Sequence, residues 1–295
     1  MDLKFTEEQN MLRDMTRDLC RDYSGADVVR KMENDPLGVP AELWQQMRKT
    51  GLLGILLPEE QGGLGLNMLD CAVIYEELGR TLTPGPHFPS SIMCANAIKK
   101  AGTDEQRQTL LPAIGAGDVI VVPAWLEPDN GFGREGVQLR AELGTTGYRL
   151  NGTKRHVFHA AAADKLLVLV RTGEAGDAVD LLLVDTKAPG VVLEQQKSMA
   201  SDTQYRVSFN DVVVPIKDRV GGAGSGWQTW AAAMYDGIIL LAAFAAGGAE
   251  RALEITVQYS KDRQQFGKPI GAFQALAHYM ADATAVVDGA KMLVY

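Results

Sequence analysis

Arg263, Gln265, Phe266 and Gln274 stand close together in the stretch Tyr-Ser-Lys-Asp-Arg-Gln-Gln-Phe-Gly-Lys-Pro-Ile-Gly-Ala-Phe-Gln, residues 259–274. A guanidinium is a permanently charged fork of donors that matches a pair of phosphate oxygens. A phenyl ring beside it offers a flat apolar face, and two amides add donors and acceptors. Together they suit a ligand that joins a phosphate to a planar ring. Gly267 and Pro269 predict a tight turn here, with a helix ending near Lys261 and another beginning near Gly271.

Three other groupings carry chemistry on paper. His156 and His159 form an HxxH pair, but on a strand that spacing points the rings to opposite faces, and no third ligand is evident. The expectation is no metal site. Glu76 and Glu77 occupy adjacent, differently directed helical positions, which predicts a solvated face or a structural ion pair rather than an acid–base couple. Gly221-Gly222-Ala223-Gly224-Ser225-Gly226 precedes a helix as a phosphate loop would, yet it lacks both the lysine and the downstream ribose acid of such loops. It is expected to be a linker.

The elements that must position these groups fall into three stretches. Up to about Gly117 the pattern is helical: Thr6 with Gln9 forms a capping box ahead of Leu12, Met15 and Leu19 at helical spacing. Pro40 suits a first helical position, with Leu43, Trp44 and Met47 sharing a face and Gly51 as a stop. Helices are also predicted over 67–79 and 90–102, with a further capping box at Thr103 and Gln106. From Val119 to Val214 short Val/Leu/Thr-rich runs predict strands at 119–126, 137–143, 165–171, 181–185, 191–194 and 204–209. Turn clusters at Gly144–Gly147 and Asn151-Gly152 separate them, which predicts a small antiparallel barrel or sandwich. After Gly226 a long helix runs to about Lys261. A second carries the apolar stripe Phe273, Leu276, Met280, Ala283, Val287 and Val294, still running at Tyr295. Two such helices cannot bury each other's faces, so more helices are expected to complete the bundle.

The chain of 295 residues is long enough for two or three domains, and 46% hydrophobic with 22% charged residues is ordinary for a globular protein. A net charge of −8 argues against nucleic acid and against an anionic membrane surface. Cys20, Cys71 and Cys94 are odd in number and far apart, as expected for buried, reduced thiols of a cytoplasmic protein. The charged N-terminus is not a signal peptide. The most apolar run, Ile238–Ala249, is too short to span a bilayer and predicts a buried core helix.

Residues 263–274 resemble the Arg-x-Gln-Phe-Gly-x-Pro-Ile-x-x-Phe-Gln signature of the flavin-dependent acyl-CoA dehydrogenases. Pro-Glu-Glu-Gln-Gly-Gly-Leu-Gly at 58–65, Glu-Glu-Leu-Gly-Arg at 76–80 and Leu-Asn-Gly-Thr-Lys at 150–154 are similar to other motifs of that family, and the resemblance covers the whole chain. It implies an α+β multidomain protein. The parts would be an N-terminal α-helical domain (1–117), a middle β-barrel or sandwich domain (118–225), and the first two helices of a C-terminal α-helical bundle (226–295). It also implies FAD as cofactor, with Arg263 on the pyrophosphate and Gln265, Phe266 and Gln274 beside it, reaching a flavin held mainly by a neighbouring subunit.

The departures from the family matter as much. Where the family usually has Thr-Glu-Pro, this chain has Leu126-Glu127-Pro128, and the Gly-Ser-Asp that accompanies it is not recognisable. Where the family has Trp-Ile-Thr or Trp-Ile-Ser, this chain has His156-Val157-Phe158, so no hydroxyl donates to flavin N5. Leu126, Glu127, His156 and Phe158 are thus the residues that the resemblance places at the flavin. The catalytic Glu of most members would lie beyond Tyr295. The position some members use instead is Gly237, beside Asp236, and the family's Arg on the same turn is Ile238. The pattern from Asn151 to Val168 resembles subunits of heteromeric acyl-CoA dehydrogenases, in which two unlike chains share a flavin. The leading expectation is such a subunit, desaturating an acyl-CoA with an electron-transfer flavoprotein or similar acceptor, in a homo- or hetero-oligomer, a tetramer by the resemblance. A self-sufficient homo-oligomeric enzyme and a non-catalytic structural subunit remain open.

Overall fold

The computed structural model describes residues 4–33, 35–200 and 202–295. The helices are α1 (Glu7–Tyr23), α2 (Ala26–Met32), α3 (Ala41–Lys49), α4 (Met68–Arg80), α5 (Ala95–Ala101), α6 (Asp104–Gly115), α7 (Gly226–Asp262) and α8 (Gln274–Val294). The strands are β1 (Val121–Ala124), β2 (Arg140–Leu143), β3 (Tyr148–Phe158), β4 (Lys165–Arg171), β5 (Val179–Asp185), β6 (Val191–Gln196), β7 (Gln204–Val214), β8 (Arg219–Val220), β9 (Gln264–Gln265) and β10 (Lys268–Pro269). Helix, sheet and helix follow one another in the chain, as expected of an α+β multidomain protein. Two compact units interleave along it: residues up to Asp27, Asn67–Thr83 and Ile238–Tyr295 form one, and Val28–Leu66 with Pro84–Gly237 form the other.

The first unit is helical. Its predicted capping box forms, with Thr6 and Gln9 exchanging backbone–side-chain hydrogen bonds at 3.1 and 3.2 Å at the start of α1, and so does the one predicted at Thr103 and Gln106 in the other unit. Helix α4 is its spine: every residue from Cys71 to Gly79 is buried. The α4 and α7 backbones meet at two glycines. A Cβ on Gly79 would lie 1.9 Å from the Phe244 carbonyl oxygen, and one on Gly247 1.9 Å from that of Glu76. Glu76 and Glu77 are buried, so the solvated-face alternative fails and the ion-pair alternative holds. Arg17 forks onto Glu77 at 2.6 and 2.9 Å, while Lys291 bridges Glu76 and Glu250 at 2.9 and 2.7 Å.

Helix α7 departs from the expectation of a buried core helix. Leu240, Ala243 and Ala246 are buried, but Ile238, Ile239 and Leu241 on other faces are exposed. The helix spans Gly226–Asp262, as the expectation of a long helix to about Lys261 had it, and by length and composition it is long and apolar enough to cross a membrane.

The second unit is built on one sheet in the order β6-β7-β3-β2-β4-β5-β8, with β1 also pairing β4. The sheet is mixed rather than antiparallel, because β1 and β2 both run parallel to β4. Strand β4 spans Lys165–Arg171 as predicted and is covered on both faces. Leu166, Val168 and Val170 join a core with Leu150 and Phe209, whereas Leu167 and Leu169 join another with Ile98, Leu111 and Trp230. Covering both faces explains the continuous apolar run in its sequence.

Gly144–Gly147 turns as predicted, but Asn151-Gly152 does not. It lies inside the eleven-residue strand β3. Asn-Gly normally marks a hairpin. Here the Asn151 side chain instead exchanges hydrogen bonds of 2.9 and 3.1 Å with Asp211, at an extra residue in β7. A π-helical segment, His87–Cys94, leads into α5 where a single α-helix was expected. The loop 221–226 is a linker: Gly224 N–H donates to the buried Asp180 carboxylate at 2.7 Å.

Candidate functional site

The predicted site residues fall in two groups, one in each unit. In the helical unit α7 ends at Asp262, and β9 and β10 form a two-residue hairpin pairing Gln265 with Lys268. Phe266 and Gly267 at its tip have φ of 53° and 78°. Positive φ at both central residues matches the twist of a tight hairpin, which explains the glycine. Ile270 N–H closes the base by donating to the Arg263 carbonyl at 2.9 Å. Arg263, Gln265 and Gln274 are exposed, and Phe266 is 91% exposed. Its ring meets Phe273 edge-on at 6.1 Å, with the Lys268 ammonium 4.3 Å from the Phe273 ring centre. The hairpin thus carries a cation, an aromatic face and amides outward, spending little of them within its own unit.

In the sheet unit, the loop carrying Leu126 and Glu127 is tied by a buried ion pair to β3, which carries His156 and Phe158. Lys154 is fully buried; its Nζ lies 2.6 Å from Glu127 Oε1 and 3.3 Å from the Trp125 carbonyl. Burial pushes its pKa down to about 8 against the attraction of Glu127. Glu127 Oε1 also accepts the Gln138 and Leu139 N–H groups at 2.9 Å, and Oε2 accepts from Asn130 at 3.1 Å. The Glu127 carboxylate is therefore engaged within the protein and acts by holding its loop. Leu126, half-buried, accepts the Arg155 N–H at 2.8 Å through its carbonyl.

Next to this pair, β3 carries one residue more than β7 between the partners Lys154↔Val207 and Val157↔Tyr205. At that bulge His156 adopts φ 52° and is exposed. Phe158 is exposed as well, so its ring is available to a planar ligand. His159 lies just past β3 and is buried, its Nδ1–H donating to the Leu37 carbonyl at 3.1 Å. The two histidines do not converge, and among the described residues no three or more His, Cys, Asp or Glu side chains cluster as metal ligands would.

Asp236, the proton-acceptor candidate on α7, is engaged within the protein. Asp236 accepts from Asn96 at 2.7 Å and pairs with Lys100 at 3.0 Å. Burial works to raise its carboxyl, but these hydrogen bonds and the lysine charges outweigh it and hold the group below the usual carboxylate range. A weak, engaged base of this kind is unsuited to take a proton from carbon. At Gly237 an added Cβ would lie 2.4 Å from Met93 Sδ, so Met93 fills the space a side chain there would need.

Sequence reasoning missed the Lys154–Glu127 pair, the bulge and Met93. The local signal for the first points the wrong way, because Thr153, Arg155 and His156 around Lys154 read as an exposed polar stretch. Nothing local marks the other two, which follow from pairing across the sheet and from helix packing.

With this geometry in view, comparison with known proteins is decisive about kinship. The N-terminal, middle and C-terminal domains of acyl-CoA dehydrogenases match residues 6–118, 124–212 and 224–295. Acryloyl-CoA reductase (NADH) of Anaerotignum propionicum is 30% identical over the whole chain and 76% of its own length. Butyryl-CoA dehydrogenase of Megasphaera elsdenii superposes with a TM-score of 0.90 at 28% identity, over 100% of this chain and 79% of that one. A chain of the ChsE4–ChsE5 complex of Mycobacterium tuberculosis does so with a TM-score of 0.88 at 26% identity, over 100% and 78%. The chain belongs to the acyl-CoA dehydrogenase family, FAD-dependent oxidoreductases acting on the CH–CH group of acyl-CoA.

Proposed function

We propose that this protein is a subunit of an acyl-CoA dehydrogenase in which FAD lies across a subunit interface. Arg263 takes the pyrophosphate, with Gln265, Phe266 and Gln274 beside it. The exposed hairpin is the observation that carries this: an Arg fork and a phenyl ring are presented outward together, the donor set for a phosphate joined to a ring system. The sheet unit supports the same reading, with Leu126 and the engaged Glu127 tied through Lys154 to β3, on which His156 and Phe158 are exposed, as the flavin-facing group. The likeness to a chain from a complex of two named proteins supports an unlike partner.

When bound, FAD accepts the hydride that leaves the β-carbon of an acyl-CoA. The protein's part is to orient the cofactor and keep its ring face dry, for which the exposed Phe158 and Phe266 are suited. Asp236 does not take the α-proton. Reoxidation falls to an electron-transfer flavoprotein or a similar acceptor, in a cytoplasmic oligomer.

The test is the visible absorption spectrum of the natural protein, purified alone and again with a related dehydrogenase subunit. Flavin gained only with the second subunit supports the proposal, and its loss in Arg263→Ala separates it from a purely structural role. Near-stoichiometric FAD in the protein alone would establish a self-sufficient homo-oligomer instead.

A further inference from the structure

We propose that Asp202, Gln204 and His156 form a relay that presents the Nε2 lone pair of His156 as a hydrogen-bond acceptor for an N–H or O–H group of the flavin, a role that rests on the cofactor reading above. Gln204 Nε2 lies 2.8 Å from Asp202 Oδ1. A carboxylate has no proton to give, so the amide must turn its nitrogen toward Asp202 and its oxygen away. That oxygen lies 2.8 Å from His156 Nδ1. An amide oxygen only accepts, so Nδ1 carries the hydrogen. The neutral imidazole then has its lone pair on Nε2.

The backbone is built to hold this ring. His156 N–H donates to Gln196 Oε1 at 3.2 Å, so side chains from β6 and β7 fix the residue at two points. It sits at the β3 bulge in the left-handed region, a conformation unfavourable to a residue with a Cβ unless its surroundings enforce it. Lys154 and Val157 on either side point into the core, while His156 is exposed. The Nε2 atom has no partner among the described residues. By the family resemblance a tryptophan stands here, whose indole can donate but not accept. By that resemblance this chain places an acceptor where an indole offers none, two residues before Phe158, which can neither donate nor accept.

The test reads the tautomer directly. Long-range nitrogen–proton correlation spectra of histidine-labelled protein, assigned with His156→Leu, should show Nδ1 protonated and Nε2 bare. In Gln204→Met that preference should collapse. An Nε2–H tautomer in the natural protein, or an unchanged spectrum in Gln204→Met, overturns the relay. FAD binding to the assembly that carries it supplies the second readout. His156→Leu and Gln204→Met should each weaken it by roughly three- to tenfold, the worth of one net hydrogen bond. His156→Gln, which keeps an acceptor oxygen, should recover most of that. Equal FAD affinity in all variants overturns the flavin role alone. Absence of FAD from every assembly overturns the cofactor reading, and the flavin role of the relay with it.

Discussion

Lys154 and Glu127 are both buried and stand 2.6 Å apart, and the same Glu127 oxygen also receives two backbone N–H groups. One ion pair therefore ties β3 to the loop after β1 and to the segment entering β2. Removing one partner of a buried pair strands the other charge, which costs far more than the pair contributes. Lys154→Met should destabilise the protein by about 3–5 kcal/mol in denaturant titration. Adding Glu127→Gln should restore part of that loss, giving a non-additive double-mutant cycle.

Arg263 presents the opposite case. Its side chain is exposed on the hairpin, so Arg263→Ala should leave stability within about 0.5 kcal/mol of the natural protein. Under the proposed function it should nevertheless strip FAD from the assembly. Retained flavin, read from the visible absorption band, would show that the arginine serves something else.

His159 predicts an acid weakness. Burial lowers its pKa, and the hydrogen bond to Leu37 and the charge of Asp202 only partly oppose that. The folded ring stays neutral where the unfolded one, with an ordinary pKa of about 6.5, takes up a proton. The unfolded state then binds more protons, so the contribution present above about pH 6.5 is lost as pH falls toward the folded pKa. Melting temperature should drop more between about pH 7 and about pH 5.5 in the natural protein than in His159→Asn. Asparagine tolerates the φ of 54° at this position.

Two glycines of the helical unit should respond in opposite directions. Gly79→Ala drives a Cβ into the Phe244 carbonyl, and backbone atoms cannot step aside as a side-chain tip can. A loss of about 3 kcal/mol or more is expected from the overpacking. Gly289, inside α8, has nothing within 4 Å of an added Cβ. Gly289→Ala should raise stability by up to about 1 kcal/mol, as helix propensity predicts. Thermal melts of the two variants check both signs.

Features written into neighbouring residues were legible in the sequence. The capping boxes at Thr6 and Thr103, strand β4 and the Gly267 hairpin all follow from local chemistry. Where the sequence misled, a distant partner had redirected a local signal. Asn151-Gly152 carries the signature of a turn, yet Asp211 on β7 engages the asparagine and the strand runs on. The parallel pairing of β1 with β4 joins segments separated by several other elements, which no short window records. The site divides the same way. Arg263 and Phe266 announce themselves by type and spacing, whereas Glu127 gains its role only once Lys154 is folded against it.

The bulge at His156 also decides how this face of the protein can be altered. Lys154 and Val157 both point inward because one extra residue lies between them, so inside and outside change places along β3 at that point. Deleting a single codon at 155 or 156 would restore strict alternation, leave Lys154 and Val157 inward and Phe158 outward, and remove the extra outward position at which His156 is displayed. Substitutions can vary the chemistry shown at each position here, but only a change in length can choose which positions are shown.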